Sequence, residues 1–552
     1  MIYLIILAAV FQESFCLEQT DANFIILHTN DIHGWINGHR HIPVLDADIA
    51  DYYNFVQHAK ELLTNHTVLA FDSGDQTQGT GLSDYTKTSG EFIFEMLEKV
   101  PIDGFTIGNH EMYNNSCIDN IADKVQYAMK GRYITSNSHH IDPNKKLGEK
   151  YRIIKVNNFG SILVFGFIYS MTVFNDHANV TSVPDAIKEE WLKDILINNQ
   201  QLIDDEYPLK LIILLIHNDP VDSETDLIVN KIREYRPDLP ILVLGGHSHY
   251  EKIVMKQDMN QSHQNVEDVR IESFCYFQEF GLLQFSVSIE KESILKNNTK
   301  IDQMKQNILK SPYKIFNPQK NMNSDSNYII NSMQIDFIHT QVQYMQQILK
   351  QLSKQDQPTN VTDKIVWDYP DATNIRNQIQ NKVKELKLDE IIGCSDKTYG
   401  FDSTDKINLY DLLVNKIYPK VKPFGREKEN SSYSNPSNGK NVSTAYIYNP
   451  QSLRAPLYQG NVTLDDFVKV DPSFNTFCAF RGVTGQDMRQ LMSTLFDPAF
   501  KNMNYEVSFG DYYKVTDDAQ QLFSNKDMDE QYEYDIITES YDCPPISYIF
   551  QI

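Results

Sequence analysis

The sequence predicts an α/β layered domain followed by a second, smaller α/β domain. From residue 24 to about 290, short apolar β-type runs alternate with helical patterns. Alternation of that kind stacks helices on sheet. At 552 residues the chain is too long for one ordinary core, so two domains or more are expected. From residue 291 the composition shifts to Gln, Asn, Lys and Ser with few sustained apolar runs, which marks a boundary.

Residues 1–16 resemble a secretory signal. The run 2–11 is almost wholly apolar, and Ser14 and Cys16 are small enough to precede a cleavage site. Sequons at Asn65, Asn114, Asn179, Asn260, Asn297, Asn360, Asn430, Asn441 and Asn461 agree with a secreted or lumenal chain. Removing Cys16 leaves five cysteines, an odd number whose pairing spacing alone does not give. No later stretch approaches the roughly 20 apolar residues of a membrane span, so no membrane anchor is expected. Hydrophobic content of 41% marks a globular chain. A net charge of -24 argues against a nucleic-acid surface. It does not exclude a small anionic substrate, because bound cations dominate their local field.

Runs at 24–27, 68–71, 105–107, 162–167, 211–216 and 241–244 are rich in Ile, Leu, Val and Phe, as buried strands are. Residues 91–99 read as a helix with Phe92, Met96 and Leu97 on one face and Ser89 as N-cap. Helical spacing recurs over 333–352, through Ile335, Ile338, Val342, Met345, Ile348 and Leu352, and again over 375–388. These helices make 291–385 a helical connector. The expected domains are then 22–290, the connector, and 386–552.

Five motifs follow the early strands: Asp31-Ile32-His33, Gly74-Asp75, Gly108-Asn109-His110-Glu111, His217 and Gly246-His247-Ser248-His249. In open α/β sheets, ligands collect beyond the carboxyl ends of the strands. Residues almost 220 positions apart in sequence can therefore meet. The adjacent glycines allow tight turns. Imidazole mixed with carboxylate suits Zn, Mn, Fe or Ni better than Ca. Such a set can hold two adjacent divalent cations, and two cations can hydrolyse a phosphate ester.

These motifs, in this order, resemble the calcineurin-like metallophosphoesterase superfamily. The segments Leu27-His28-Thr29-Asn30-Asp31-Ile32-His33 and Gly74-Asp75-Gln76-Thr77-Gln78-Gly79-Thr80 are similar to its 5'-nucleotidase family. The wording Asp31-Ile32-His33-Gly34-Trp35 and Gly108-Asn109-His110-Glu111-Met112-Tyr113 resembles a branch of secreted or vacuolar phosphoesterases from fungi and protists. The resemblance implies a four-layer α/β/β/α N-terminal domain and a 5'-nucleotidase-type C-terminal domain. It also implies two divalent ions: Zn, Mn, Fe or Co. Asp31, His33 and His249 would hold one ion; Asn109, His217 and His247 would hold the other. Asp75 would bridge them through its two carboxylate oxygens. His110 would face the substrate and protonate the leaving oxygen. The family usually orients that histidine with an Asp a few residues later, where this chain has Tyr113. Glu111 could assume that role, or His110 could work without a carboxylate partner.

Residues 445–491 also resemble the family, through Tyr446-Ile447-Tyr448-Asn449-Pro450-Gln451-Ser452-Leu453-Arg454 and Gly460-Asn461-Val462-Thr463. The resemblance implies that Asn449 and Arg454 contact substrate, with Phe474 and Tyr541 as base-stacking candidates. The aromatic in Pro472-Ser473-Phe474-Asn475 is displaced by one residue from the family pattern, and no glycine loop surrounds Tyr541. The expected activity is a 5'-nucleotidase-like phosphomonoesterase acting on a small phosphorylated substrate, with oligomeric state open. Two alternatives stand beside it. One is phosphodiester or pyrophosphate cleavage of cyclic or dinucleotides. The other is a nucleotide-binding protein with weakened chemistry.

Overall fold

The apolar runs become strands because each alternates between two covered faces. The computed structural model describes residues 22–172, 174–198, 207–237, 239–257, 266–289, 315–316, 328–356, 366–401, 405–412, 441–448, 453–472, 477–484, 506–509, 513–514 and 532–539. The chain forms two compact units, one of residues 1–78 and 82–386, the other of residues 79–81 and 387–552.

In the first unit the strands are β1 (Ala22–Thr29), β2 (His66–Asp72), β3 (Gly104–Thr106), β4 (Tyr133–Ile134), β5 (Ser138–His140), β6 (Tyr151–Val156), β7 (Gly160–Ile168), β8 (Ala178–Val180), β9 (Leu209–His217), β10 (Ile241–Leu244), β11 (Lys252–Gln257), β12 (Val266–Glu272), β13 (Glu279–Ile289), β14 (Ile315–Phe316) and β15 (Tyr328–His339). One sheet runs β14-β15-β13-β1-β2-β3-β4 and a second runs β11-β12-β10-β9-β7-β6. Strands β1 to β4 are parallel, as are β7, β9, β10 and β12. Each group therefore presents its carboxyl ends together.

Phe24 and Ile26 of β1 share one core with Ile162, Val164, Ile213, Leu215 and Leu244 of the second sheet. The opposite faces of those strands are apolar too. Leu163, Phe165, Ile212 and Leu214 pack with Ile228 and Ile232 of a helix at Ser223–Tyr235. On the outside of the first sheet, Tyr52 and Phe55 of a helix at Ile49–Leu62 lie edge-on to Phe280, at 5.0 Å in each case. The order is helix, sheet, sheet, helix, and double-sided burial explains why the strands read as near-continuous apolar runs.

Two local expectations are corrected. Residues 328–339 form a strand, so 333–339 do not begin the expected helix over 333–352, and the strand pairs with β13 from Tyr328 opposite Ile289 to His339 opposite Glu279. Met333 and Ile335 enter the inter-sheet core, so the period-2 alternation overrides the helical spacing. The helix begins only at Val342 and ends at Asp356. With a second helix at Pro370–Glu385 it belongs to the first unit. Among the described residues, the stretch 291–385 contributes β14, β15 and two helices to that unit. The helix at Glu91–Lys99 is present, but its N-cap is Gly90 at φ 72°, not Ser89.

In the second unit β16 (Ile391–Ser395) pairs antiparallel with Gly460–Thr463. Thr463 caps the helix Leu464–Val470 through a reciprocal box with Asp466. A five-stranded sheet is built on Asn441–Tyr448, which runs parallel to Tyr532–Glu539.

Arg270 on β12 is 1% exposed. It grips Asp268 with two bonds of 2.7 and 2.9 Å, and it donates to the Pro220 carbonyl at 2.7 Å. Pro220 lies three residues beyond His217, so this buried pair fixes the loop after β9. Replacing Arg270 by Met leaves Asp268 buried and uncompensated, at a cost of about 3–5 kcal/mol. All three tryptophans, Trp35, Trp191 and Trp367, lie in the first unit, so urea unfolding followed by their fluorescence isolates the effect. An unchanged midpoint would remove Arg270 from this account.

Candidate metal centre

The seven expected ligands and His110 meet at the carboxyl ends of β1, β2, β3, β9 and β10. Three groups of donor atoms form there, each within 4.8 Å: Asp31, His33 and His249; Asp75, His217 and His247; and His33, Asp75 and His110. Asp31, His33, Asp75, His247 and His249 all have left-handed backbone, with φ from 46° to 78°. Such conformations are unfavourable for residues with a Cβ and gather at functional sites. Gly74, at φ 96°, turns the β2 loop; a Cβ there would sit 2.8 Å from both Gly108 N and His217 Nδ1.

Hydrogen bonds fix which way each donor points. His33 Nδ1–H donates to the carbonyls of Thr77 and Gln78 at 3.2 and 3.0 Å. Its Nε2 lone pair therefore faces His249 Nε2, 3.2 Å away. His217 Nδ1–H donates to Ser73 O at 2.8 Å. Its Nε2 then faces two oxygens, Asn109 Oδ1 at 3.0 Å and Asp75 Oδ2 at 3.2 Å. Asp31 Oδ2 accepts from Asn30 Nδ2 and the His247 amide at 2.7 and 2.8 Å. Asp31 Oδ1 is buried without a hydrogen-bond donor, 3.4 Å from His249 Nε2. Imidazole nitrogens and carboxylate oxygens gathered this closely in a buried site form a donor set suited to cations. The residues fit two divalent ions.

Asp75 lies between the two sets, but one oxygen faces both. Oδ2 is 3.7 Å from His33 Nε2 and 3.2 Å from His217 Nε2. Oδ1 instead accepts the His110 amide at 2.9 Å. Only Oδ2 is thus turned toward both histidine groups. Burial opposes charge on Asp75, yet His217 and His110 beside it hold it well below the usual carboxylate range.

Glu111 has a different task from the one the sequence suggested. It is fully buried. One oxygen accepts from Gly108 N and Asp75 N at 2.8 and 3.1 Å, the other from Thr77 N and Oγ1 at 2.9 and 2.7 Å. Its lone pairs bind the loop that carries Asp75, not the His110 ring. Glu272, which sequence reasoning missed, does the same for the other sheet. It accepts from Ser248 N, His249 N and Ser248 Oγ at 2.8, 3.1 and 2.7 Å. It ends a strand, Val266–Glu272, that carries three other charged residues, so residue type alone does not single it out. Tyr113 serves Asn109: its hydroxyl accepts from Nδ2 at 3.3 Å, which leaves Oδ1 turned to His217. His110 Nδ1 pairs with Gln78 Oε1, another residue not foreseen.

Asp119, His140 and His177 form a further cluster, filled by protons. His140 Nδ1 accepts the Asp142 amide at 2.9 Å, so Nε2 carries the hydrogen it gives Asp119 at 3.1 Å. Lys145 adds a positive charge 3.6 Å from Asp119. Of the expected substrate contacts, Arg454 lies in the second unit with its amide bonded to Val470 O at 2.9 Å. Asn449, Phe474 and Tyr541 lie outside the described residues, as do residues 1–16.

Residues 24–251, which hold every one of these donors, match the family model described as calcineurin-like phosphoesterase. The chain carries a calcineurin-like phosphoesterase domain. It is a metal-dependent phosphoric ester hydrolase. A 5'-nucleotidase from Candida albicans has a similar structure, with a TM-score of 0.69 at 20% identity over 97% of this chain and 93% of that one. A 5'-nucleotidase precursor from Thermus thermophilus gives 0.58 at 12% identity over 96% and 92%. At these identities the likeness speaks for the fold, which extends across both units. A relative from Arthroderma benhamiae described as "Secreted protein" is 24% identical over 516 residues, 89% of this chain and 70% of its own length.

The phosphoesterase centre carries a proton that cations must displace. Burial works against charge on His217, but Asp75 beside it, then Asp31, push its pKa up to about 10. The metal-free imidazole is therefore protonated below that value and across the neutral range. Mn or Zn uptake should release about one proton, and affinity should rise with pH. Calorimetry in buffers of different ionisation enthalpy measures this. Uptake at neutral pH with no proton released would contradict it.

Proposed function

We propose that this protein is a 5'-nucleotidase-like phosphomonoesterase acting on nucleotides or related small phosphate monoesters outside the cytosol. The observation that carries the reading is Asp75 Oδ2, set between the two histidine groups with His110 Nε2 3.9 Å away. Asp31, His33 and His249 would hold one cation, Asn109, His217 and His247 the other, and Asp75 both. Cations bound there supply charge neutralisation at the phosphoryl oxygens and activate the attacking water.

This chain's own residues supply orientation and a proton. As the new bond from water oxygen to phosphorus forms, the bond from phosphorus to the leaving oxygen breaks. Its electron pair stays on that oxygen, and the proton on His110 Nε2 completes the alcohol. The attacking water loses one proton, and solvent restores the one on His110, so the products are alcohol and inorganic phosphate. The pairing of His110 with Gln78 supports an intact proton donor and weighs against the reading as a weakened binding protein. The match of fold to a 5'-nucleotidase over both units supports a nucleotide substrate.

Four sequon residues fall where exposure is described, Asn65, Asn114, Asn179 and Asn461, and all are exposed. Among the described residues no helix is long and apolar enough to cross a membrane. The exposed sequons support an extracytoplasmic chain, as does the relative described as secreted.

After reconstitution with Mn, Zn or Co, the full chain should hydrolyse p-nitrophenyl phosphate and AMP faster than phosphodiesters. His110→Ala should lose about 10²–10⁴-fold. Release of product from bis-p-nitrophenyl phosphate at an equal or greater rate would favour the diesterase alternative, and no metal-dependent hydrolysis would end the proposal. Protein from a eukaryotic secretory host should lose mass on glycosidase treatment; a chain retained inside the cell without glycans would overturn the location.

A further inference from the structure

His110 is held by a residue outside its own motif. Its Nδ1–H donates to Gln78 Oε1. Gln78 is anchored at three further points: its backbone is left-handed at φ 61°, its amide donates to Ser83 Oγ at 2.8 Å, and its carbonyl accepts from His33 Nδ1 at 3.0 Å. One residue thus orients a metal-facing imidazole with its backbone and the proton donor with its side chain. The His110 ring stands edge-on to His33, with centroids 4.8 Å apart, and its amide is tied to Asp75 Oδ1 at 2.9 Å. The two residues nearest in sequence that could have oriented it are engaged elsewhere. Glu111 is taken up by the Asp75 loop, and the Tyr113 hydroxyl accepts from Asn109.

We propose that Gln78 is the positioning residue of His110: its amide oxygen holds the ring with Nδ1 protonated, so that Nε2 is the atom presented to the leaving oxygen. The role given to His110 rests on the phosphomonoesterase reading; the way it is held does not. A neutral amide fixes direction as a carboxylate does, but adds no opposite charge to favour the imidazolium that donates the proton. Help to the leaving group is therefore mainly geometric. Esters with acidic leaving groups need that help least, so losing Gln78 should be felt most by alkyl phosphates.

The test compares the Mn-loaded full chain as wild type, Gln78→Ala and Gln78→Glu on p-nitrophenyl phosphate and glycerol 2-phosphate. In Gln78→Ala the fall in kcat on the alkyl ester should exceed that on the aryl ester by about tenfold or more. Gln78→Glu should restore the alkyl-to-aryl ratio to the wild-type value or above it. A ratio equal in all three proteins would overturn the proposal, since a merely structural role lowers both rates together. A second readout does not need turnover. In Zn-loaded protein labelled with ¹⁵N-histidine, the His110 imidazole should show the Nδ1-protonated form, and Gln78→Ala should lose that single tautomer. A wild-type His110 protonated at Nε2 alone would overturn the pairing. If the wild type cleaves neither ester, the phosphomonoesterase reading fails, while the tautomer still decides the role of Gln78.

Discussion

Everything at this centre depends on holding seven donor atoms against their mutual repulsion. Strand ends bring the residues near, but convergence requires the chain to reverse within one to three residues of each strand. Five donors sit on left-handed backbone, each costing on the order of 1 kcal/mol or more. Two buried glutamates over-determine those turns. Glu111 clamps the loop from Gly74 to Thr77, and Glu272 clamps the His247 to His249 loop. Burial, then the Asp75 charge, pushes Glu111 up to about 7; burial, then Asp31, pushes Glu272 up to about 8. Neither carboxyl is comfortable where it sits, and each is retained by the backbone amides it satisfies.

That division explains why the two sheets are packed face to face. The Asp31 and Asp75 loops come from the first sheet, while His217 and the His247 loop come from the second. Bonds between them, such as His217 Nδ1–H to Ser73 O and Ser73 Oγ–H to the Leu244 carbonyl at 2.8 Å each, register one sheet on the other at the site. The core of Phe24, Ile26, Val164, Leu215 and Leu244 lies directly beneath. A shift of either sheet would separate the two halves of the ligand set.

The strands and the donor residues that converge at their ends were legible because both depend on local chemistry. Buried parallel strands must be apolar on both faces, which spelled out β1, β2, β7, β9 and β10. Metal donors come from few residue types, so Asp31, His33, Asp75, Asn109, His217, His247 and His249 stood out from their surroundings. What escaped depends on long-range geometry. The segment 328–339 carries both a 3.6- and a 2-residue periodicity, and only the open edge of β13 selects the strand. Glu111 adjoins His110 in sequence, yet its side chain turns to backbone amides of the neighbouring loop. Gln78 is uncharged, and nothing local marks an amide as the partner of a histidine 32 positions away. The His110 amide takes up Asp75 Oδ1, a backbone contact that residue types do not reveal.

We propose that Asp75 would serve both cation sets, with Oδ2 the oxygen set between them. Anomalous diffraction from crystals grown with Mn tests it most directly. The account predicts two peaks about 3.5–4 Å apart, one beside Asp31, His33 and His249, the other beside Asn109, His217 and His247, with Asp75 Oδ2 touching both. A single ion at full metal occupancy, or two ions that do not share Asp75, would contradict it.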